Sequence, residues 1–252
     1  MSDHYLQLCP CLAALSIASQ GHFARLGTIN RSTPSWSPVQ ESIVSNSPLS
    51  LAKELSQAAR SADPTPAGVT GHDVHFYRTD DALIASVVNF LAAAVRVGQP
   101  IIVIATDAHC RAFASGLRAK DLDPDALLAG RLAIWLDARY TLESFMEDGL
   151  PNRELFMATV GSVFARVLDK RQYLVVRAFG EMVDILWKDG NIEGAIQLEQ
   201  LWNDLAHKYQ YSLLCGYSIE NFLHETDVAA FGRVCNAHTS VRLLDDQEQI
   251  VA

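Results

Sequence analysis

From residue 71 onward the chain alternates apolar runs with amphipathic segments, and no other feature restricts its fold as much. Residues 101–105 and 173–179 are apolar at odd and even positions alike, apart from Arg177. Strands of that kind belong to a sheet covered on both faces. Between them come helical spacings. Asp80 and Asp81 suit a helix N-terminus, Leu83, Val87, Phe90, Leu91, Ala94 and Val95 form an apolar stripe, and Gly98 ends the helix. Strands are expected at 72–77, 101–105, 132–136, 173–179 and 212–217, and helices near 108–120, 152–168, 181–188 and 192–209. Helical crossovers make neighbouring strands parallel. The expected fold is α/β, a three-layer α/β/α domain with a mostly parallel sheet of about five strands.

Residues 1–70 read differently. They hold 12 serines, prolines at 34, 38, 48, 64 and 66, and four acids against four bases. The net charge of −9 over 252 residues therefore belongs to residues 71–252, with 25 acids against 16 bases. The expectation is a disordered or weakly helical leader and linker over 1–70, with a short helix at 50–60, and one folded domain over 71–245. An acidic domain is a poor direct partner for nucleic acid, whose phosphates require a basic surface.

The apolar stretch from Leu6 to Ala18 follows Asp3 and His4 rather than Lys or Arg, and Gln7 and Pro10 interrupt it. It is neither a secretory signal nor close to the roughly 20 apolar residues that span a bilayer. Five scattered cysteines fit reduced thiols better than a disulfide framework. The expected location is the cytoplasm, with no membrane partner.

In open α/β sheets, ligands collect beyond the carboxyl ends of the strands. Here those ends carry Tyr77-Arg78-Thr79, Thr106-Asp107, Asp137, Gly180-Glu181 and Ser218. The first strand runs into Arg78-Thr79-Asp80-Asp81, with no glycine loop and two carboxylates where a phosphate would sit. A dinucleotide fingerprint and a Gly-x-Ser-x-Gly elbow are absent as well. Arg177 lies inside an apolar strand and should pair with a carboxylate, Glu181 or Glu199 being the nearest in the pattern. An Arg–Glu group of this kind either lines a ligand pocket or ties helix to sheet. Trp187 and Trp202 either wall such a pocket or fill the core, where Trp135 is expected.

Metal spacings are weak. His72 and His75 fall on opposite faces of a strand, and Cys235-x-x-His238 supplies two ligands where a structural zinc takes four, with Cys215 the one tempting third. No metal, other cofactor or catalytic constellation is expected, and the chain is not read as an enzyme.

The strings HDVHFYRTDD, PIIVIAT, RAFGEMVDILWKDGNIEGAIQLEQLWNDL and YSLLCGY, spread over about residues 72–240, resemble the MEDS domain, the methanogen/methylotroph DcmR-type sensory domain. The tail with Phe231, Cys235 and His238 is similar too. This resemblance implies a degenerate RecA/KaiC-like fold without a P-loop, and a sensor of small, hydrocarbon-like molecules. It also implies a partner such as a histidine kinase, an anti-sigma regulator or a transcription system. The positions that match the family's recurrent polar and aromatic features are His75, Tyr77, Arg177, Glu181, Trp187, Glu199, Trp202 and Asn203, taken as candidate ligand-binding residues. Two other functions stay open: a nucleotide-binding relic, and an interaction module without a ligand.

Overall fold

The computed structural model describes residues 69–168, 175–222 and 228–244. The leader, the helix expected at 50–60, the linker and the domain's last residue lie outside the described residues.

The apolar runs form strands and the striped segments form helices. In order these are β1 (Gly71–Tyr77), α1 (Asp80–Arg96), β2 (Ile101–Ala105), α2 (Asp107–Arg118), α3 (Pro124–Ala129), β3 (Ala133–Asp137) and α4 (Ala138–Glu143). A hairpin of β4 (Met146–Glu147) and β5 (Leu150–Pro151) follows, then α5 (Arg153–Leu168), β6 (Val176–Gly180), α6 (Met182–Lys188) and α7 (Ile192–Ala206). The chain ends with β7 (Tyr211–Ser218), a 3-10 turn at Ile219–Phe222, α8 (Val228–Asn236) and β8 (Ser240–Leu244). Local chemistry sets the boundaries. The Thr79 hydroxyl accepts from the Ala82 amide at the start of α1, and Gly98 supplies the positive φ of 74° after its end.

The main sheet has six parallel strands in the order β3-β2-β6-β7-β1-β8. The sixth strand is a correction to the expected five. Residues 240–244 are a short edge segment interrupted by Arg242, and alone they carry no clear strand signal. The helix expected to reach residue 209 stops at Ala206, and α3, α4 and α8 are further additions to the sequence reading.

Alternation along the strands divides the core in two. Val74, Phe76, Val176, Ala178, Leu213, Cys215 and Tyr217 pack with α4 to α8. Tyr77, Val103, Phe179 and Leu214 pack with α1 to α3 on the other side. Both faces are therefore dry, as the apolar runs require. Among the described residues no helix is long and apolar enough to cross a membrane.

Arg177 belongs to the α1 side. Its guanidinium lies 4.4 Å from the Phe90 ring centroid and donates to the Phe90 carbonyl at 3.2 Å. Burial lowers its pKa, while the charge of Asp73 on β1, two strands away, opposes that shift. The expected pairing with Glu181 or Glu199 does not form, because Glu199 approaches the opposite face and Glu181 turns toward β2.

Two stability predictions follow from this packing. A Cβ on Gly216 would lie 3.2 Å from Leu83 and 3.3 Å from Phe179. Gly216→Val should therefore destabilise by about 1–3 kcal/mol, read as a lower urea midpoint with unchanged slope. Arg177→Ala should cost about 1–3 kcal/mol by the same measurement, since it removes a charged hydrogen bond to the Phe90 carbonyl and the stacking on that ring, and Arg177→Lys should not restore the loss because an ammonium cannot stack as a plane.

Candidate functional site

Two polar clusters occupy the domain, one at the carboxyl ends of the strands and one inside the α7 side of the core. The first follows from strand order. The chain leaves β2 through α2 and α3 toward β3, but leaves neighbouring β6 through α6 and α7 toward β7. The connections diverge to opposite faces, so the ends of β2 and β6 mark the switch point of the sheet. Crevices at such switch points are where α/β sheets bind ligands.

Glu181, the first residue after β6, stands at that point. It occupies the N-cap position of α6 but makes no side-chain cap there. Its carboxylate instead accepts from the Thr106 amide beyond β2 and from the His109 ring in α2. His109 Nε2 also lies 3.7 Å from Asp80. Burial works against charge on His109, yet the hydrogen bond and charge of Glu181, joined by Asp80, raise its pKa.

Beside it, Asp184 on α6 gathers a second group. Its Oδ1 accepts from the Ser218 amide at 2.9 Å and the Asn221 amide group at 2.6 Å. Its Oδ2 accepts from the Tyr77 hydroxyl at 3.2 Å and lies 2.7 Å from Lys188 Nζ. Burial, then the charges of Asp184 and Glu181, push the Tyr77 phenol upward, so it stays a neutral donor.

The second cluster is enclosed. Glu199 on α7 is fully buried and faces His72 on β1, Cys215 on β7, and His238 in the turn between α8 and β8. Glu199 Oε1 accepts from the Tyr217 hydroxyl at 2.8 Å. Glu199 Oε2 lies 3.2 Å from His72 Nε2, 3.4 Å from His238 Nε2 and 3.6 Å from Cys215 Sγ. Burial alone would raise the Glu199 carboxyl, but the two imidazoles hold it well below the usual carboxylate range. Burial and the Glu199 charge push the Cys215 thiol upward. Two imidazoles, a carboxylate and a thiol converging on one point are a set of metal-ligand types.

The candidate residues inferred from sequence divide among these places. Glu181 and Tyr77 line the carboxyl-end clusters. Trp187 stands beside them in an aromatic group with Tyr217 and Phe222, its Nε1 donating to the Asn221 carbonyl at 3.1 Å. Glu199 is the centre of the enclosed cluster, and Asn203, one α7 turn on, bonds His72 at 3.0 Å. Trp202 is core, edge-on to Phe156. His75 points to the α1 side, bonded to Ser86 at 2.8 Å, with burial and then Arg242 lowering its pKa to about 4. Arg177 is also on that side, so the expected ring of Arg177, Glu181 and Glu199 around one ligand does not assemble.

Cys235 is not part of the group of ligand types around His238. The ligand types beside His238 are instead His72, Glu199 and Cys215. His109, Asp184 and His72 were missed. His109 and Asp184 are ordinary residues of amphipathic helices, and the partners that single them out are 72 and 34 positions away.

The profile described as MEDS, the methanogen/methylotroph, DcmR sensory domain, matches residues 71–238. No curated protein matches the chain. A solved Pyrococcus horikoshii OT3 structure, described as a structural study of Project ID PH0250, is similar at a TM-score of 0.43 with 8% identity, covering 75% of this chain and 87% of that one. So remote a likeness carries no argument about function. The family match extends from β1 through both clusters to His238, and on it the chain belongs to the MEDS sensory-domain family.

Proposed function

We propose that this domain is the sensing unit of a signalling system and performs no catalysis. It binds a small, hydrocarbon-like molecule with one polar group in the crevice between β2 and β6, and passes its occupancy to a partner protein. The observation that carries this reading is the position of Glu181. It stands at the switch point, holds Thr106 and His109 from the β2 side, and begins the α6–α7 segment. A ligand that takes over one of those hydrogen bonds acts directly on the start of α6. It shifts the equilibrium only by its differential affinity for the two arrangements.

The outer side of α7, with Arg153 of α5 and Arg233 of α8, forms a polar groove of about 310 Å³. It is bridged by Arg153–Asp204 at 3.0 Å and by Arg233–Glu193. This groove is the surface on which a partner, such as a histidine kinase or anti-sigma regulator, would read the position of α7. A nucleotide fits the crevice poorly, since Asp80, Glu181 and Asp184 surround it with carboxylates. Magnesium-ATP is therefore expected to give no heat of binding in calorimetry.

A panel of short-chain alcohols and halocarbons tests the sensing claim by thermal shift. A true ligand at about 100 times its Kd adds about 2.7 kcal/mol. That gain should disappear in Glu181→Gln while the far-ultraviolet circular dichroism stays native. A panel that stabilises nothing, or a gain that survives Glu181→Gln and His109→Ala, sinks the assignment to this crevice.

The His109–Glu181 pair also has a pH signature. A folded-state pKa raised above the unfolded value contributes stability that is fully present below about pH 6.5 and is lost as pH rises through the folded pKa. Urea midpoints should show a wider gap between wild type and His109→Gln at about pH 6 than at about pH 9. An equal gap at both would mean that His109 is not charged in the pair.

A further inference from the structure

The enclosed cluster has a geometry that a chance gathering of polar side chains would not need. His238 Nδ1 lies 2.6 Å from the Val234 carbonyl, which can only accept, so the Nδ1 proton is committed there. The Asn203 amide nitrogen donates to the Ala237 carbonyl at 3.0 Å, which leaves Asn203 Oδ1 as the acceptor for His72 Nδ1 at 3.0 Å. In its neutral form each ring is thus held with the proton on Nδ1 and the Nε2 lone pair directed inward. A ligating histidine is normally oriented in this way, by a carbonyl or amide on its other nitrogen. Tyr217 does the same for the carboxylate by occupying Glu199 Oε1, leaving Oε2 to face the imidazoles.

The spacing agrees. Metal bonds of 2.0–2.3 Å at tetrahedral angles separate the donors by about 3.3–3.7 Å. Here the separations are 3.2 Å for His72–Glu199, 3.4 Å for His238–Glu199, 3.3 Å for His72–Cys215 and 3.6 Å for Cys215–Glu199, and all four donors lie within 4.8 Å of one another. Among the described residues, His238 Nε2 is buried with no hydrogen-bond partner. Among the same residues Cys215 is a free, buried thiol.

We propose that His72, Glu199, Cys215 and His238 form a closed tetrahedral site for a thiophilic divalent cation of the zinc class. On binding, Cys215 gives its proton to solvent as the sulfur–metal bond forms, while both imidazoles enter neutral through Nε2 and Glu199 enters ionised. The thiolate and the carboxylate then cancel the two positive charges, so the buried site is neutral. A sulfur and two nitrogens select against magnesium and calcium. Four protein donors leave no open position for a reacting water, so the ion fastens structure rather than catalysing. What it fastens is the turn between α8 and β8, clamped to β1, β7 and α7. This site is independent of the crevice at Glu181, and either assignment can fail without the other.

The test uses the full chain with any affinity tag removed. After dialysis against micromolar zinc, elemental analysis should give one zinc per chain, and the melting temperature should rise with zinc and fall with a chelator. Cobalt(II) should produce tetrahedral visible bands and a sulfur-to-cobalt charge-transfer band in the near ultraviolet. Cys215→Ser should lose the charge-transfer band, and His238→Ala should lose most of the bound metal. Cys235→Ser and the Cys9→Ser/Cys11→Ser double variant should retain both. A natively folded chain that takes up neither metal overturns the site, as does a charge-transfer band that survives Cys215→Ser. If Cys215→Ser fails to fold, the cobalt spectrum of the Cys9→Ser/Cys11→Ser variant decides. A tetrahedral thiolate spectrum supports the site, and its absence refutes it.

Discussion

A parallel sheet covered by helices on both faces leaves no water for a charged side chain inside it. Every such group must find its partners within the protein or lose more in desolvation than its surroundings return. The domain meets this demand twice, once on each side of the sheet. On the α1 side Arg177 stacks on Phe90 and faces the charge of Asp73. On the α7 side Glu199 draws in residues from β1, β7 and the turn before β8. The two solutions are separated by the sheet itself, since neighbouring side chains on a strand point to opposite faces.

The same requirement organises the carboxyl ends of the strands. Glu181 and Asp184 tie the start of α6 to β2, β7 and the 3-10 turn rather than facing solvent. Glu181 gives up an N-cap bond to do so, and this places a protonatable pair at the switch point where the connections diverge. Glu181 and Glu199 belong to one stretch of chain, α6 and α7, packed tightly on each other.

Much of this was legible in the residues before any fold was known. The all-apolar runs implied a sheet buried on both faces, and five of its six strands were found within a few residues. The opposite orientation of His72 and His75 was correct, which is why only His72 enters the cluster with Glu199. The ordered string from Arg177 to Leu205 pointed to the segment that carries both clusters. The edge strand β8 escaped notice because a short strand with a central arginine has too little periodicity to stand out.

By itself, the sequence determined the α/β class, the division of each strand into two faces, and the family. Each of these depends on local periodicity or on an ordered string, and both survive without knowledge of the fold. Which charges meet was decided only in three dimensions. Arg177 looked ready to pair with Glu181 or Glu199, yet the pleat of β6 turned it to the α1 side and onto Phe90 instead. His238 carried no site expectation beyond its spacing from Cys235, and the return of the chain beside β1 set it against His72 and Glu199. Contacts between residues far apart in the chain depend on strand order and register. Those are set by the collective burial of the sheet, and no short window of sequence contains them.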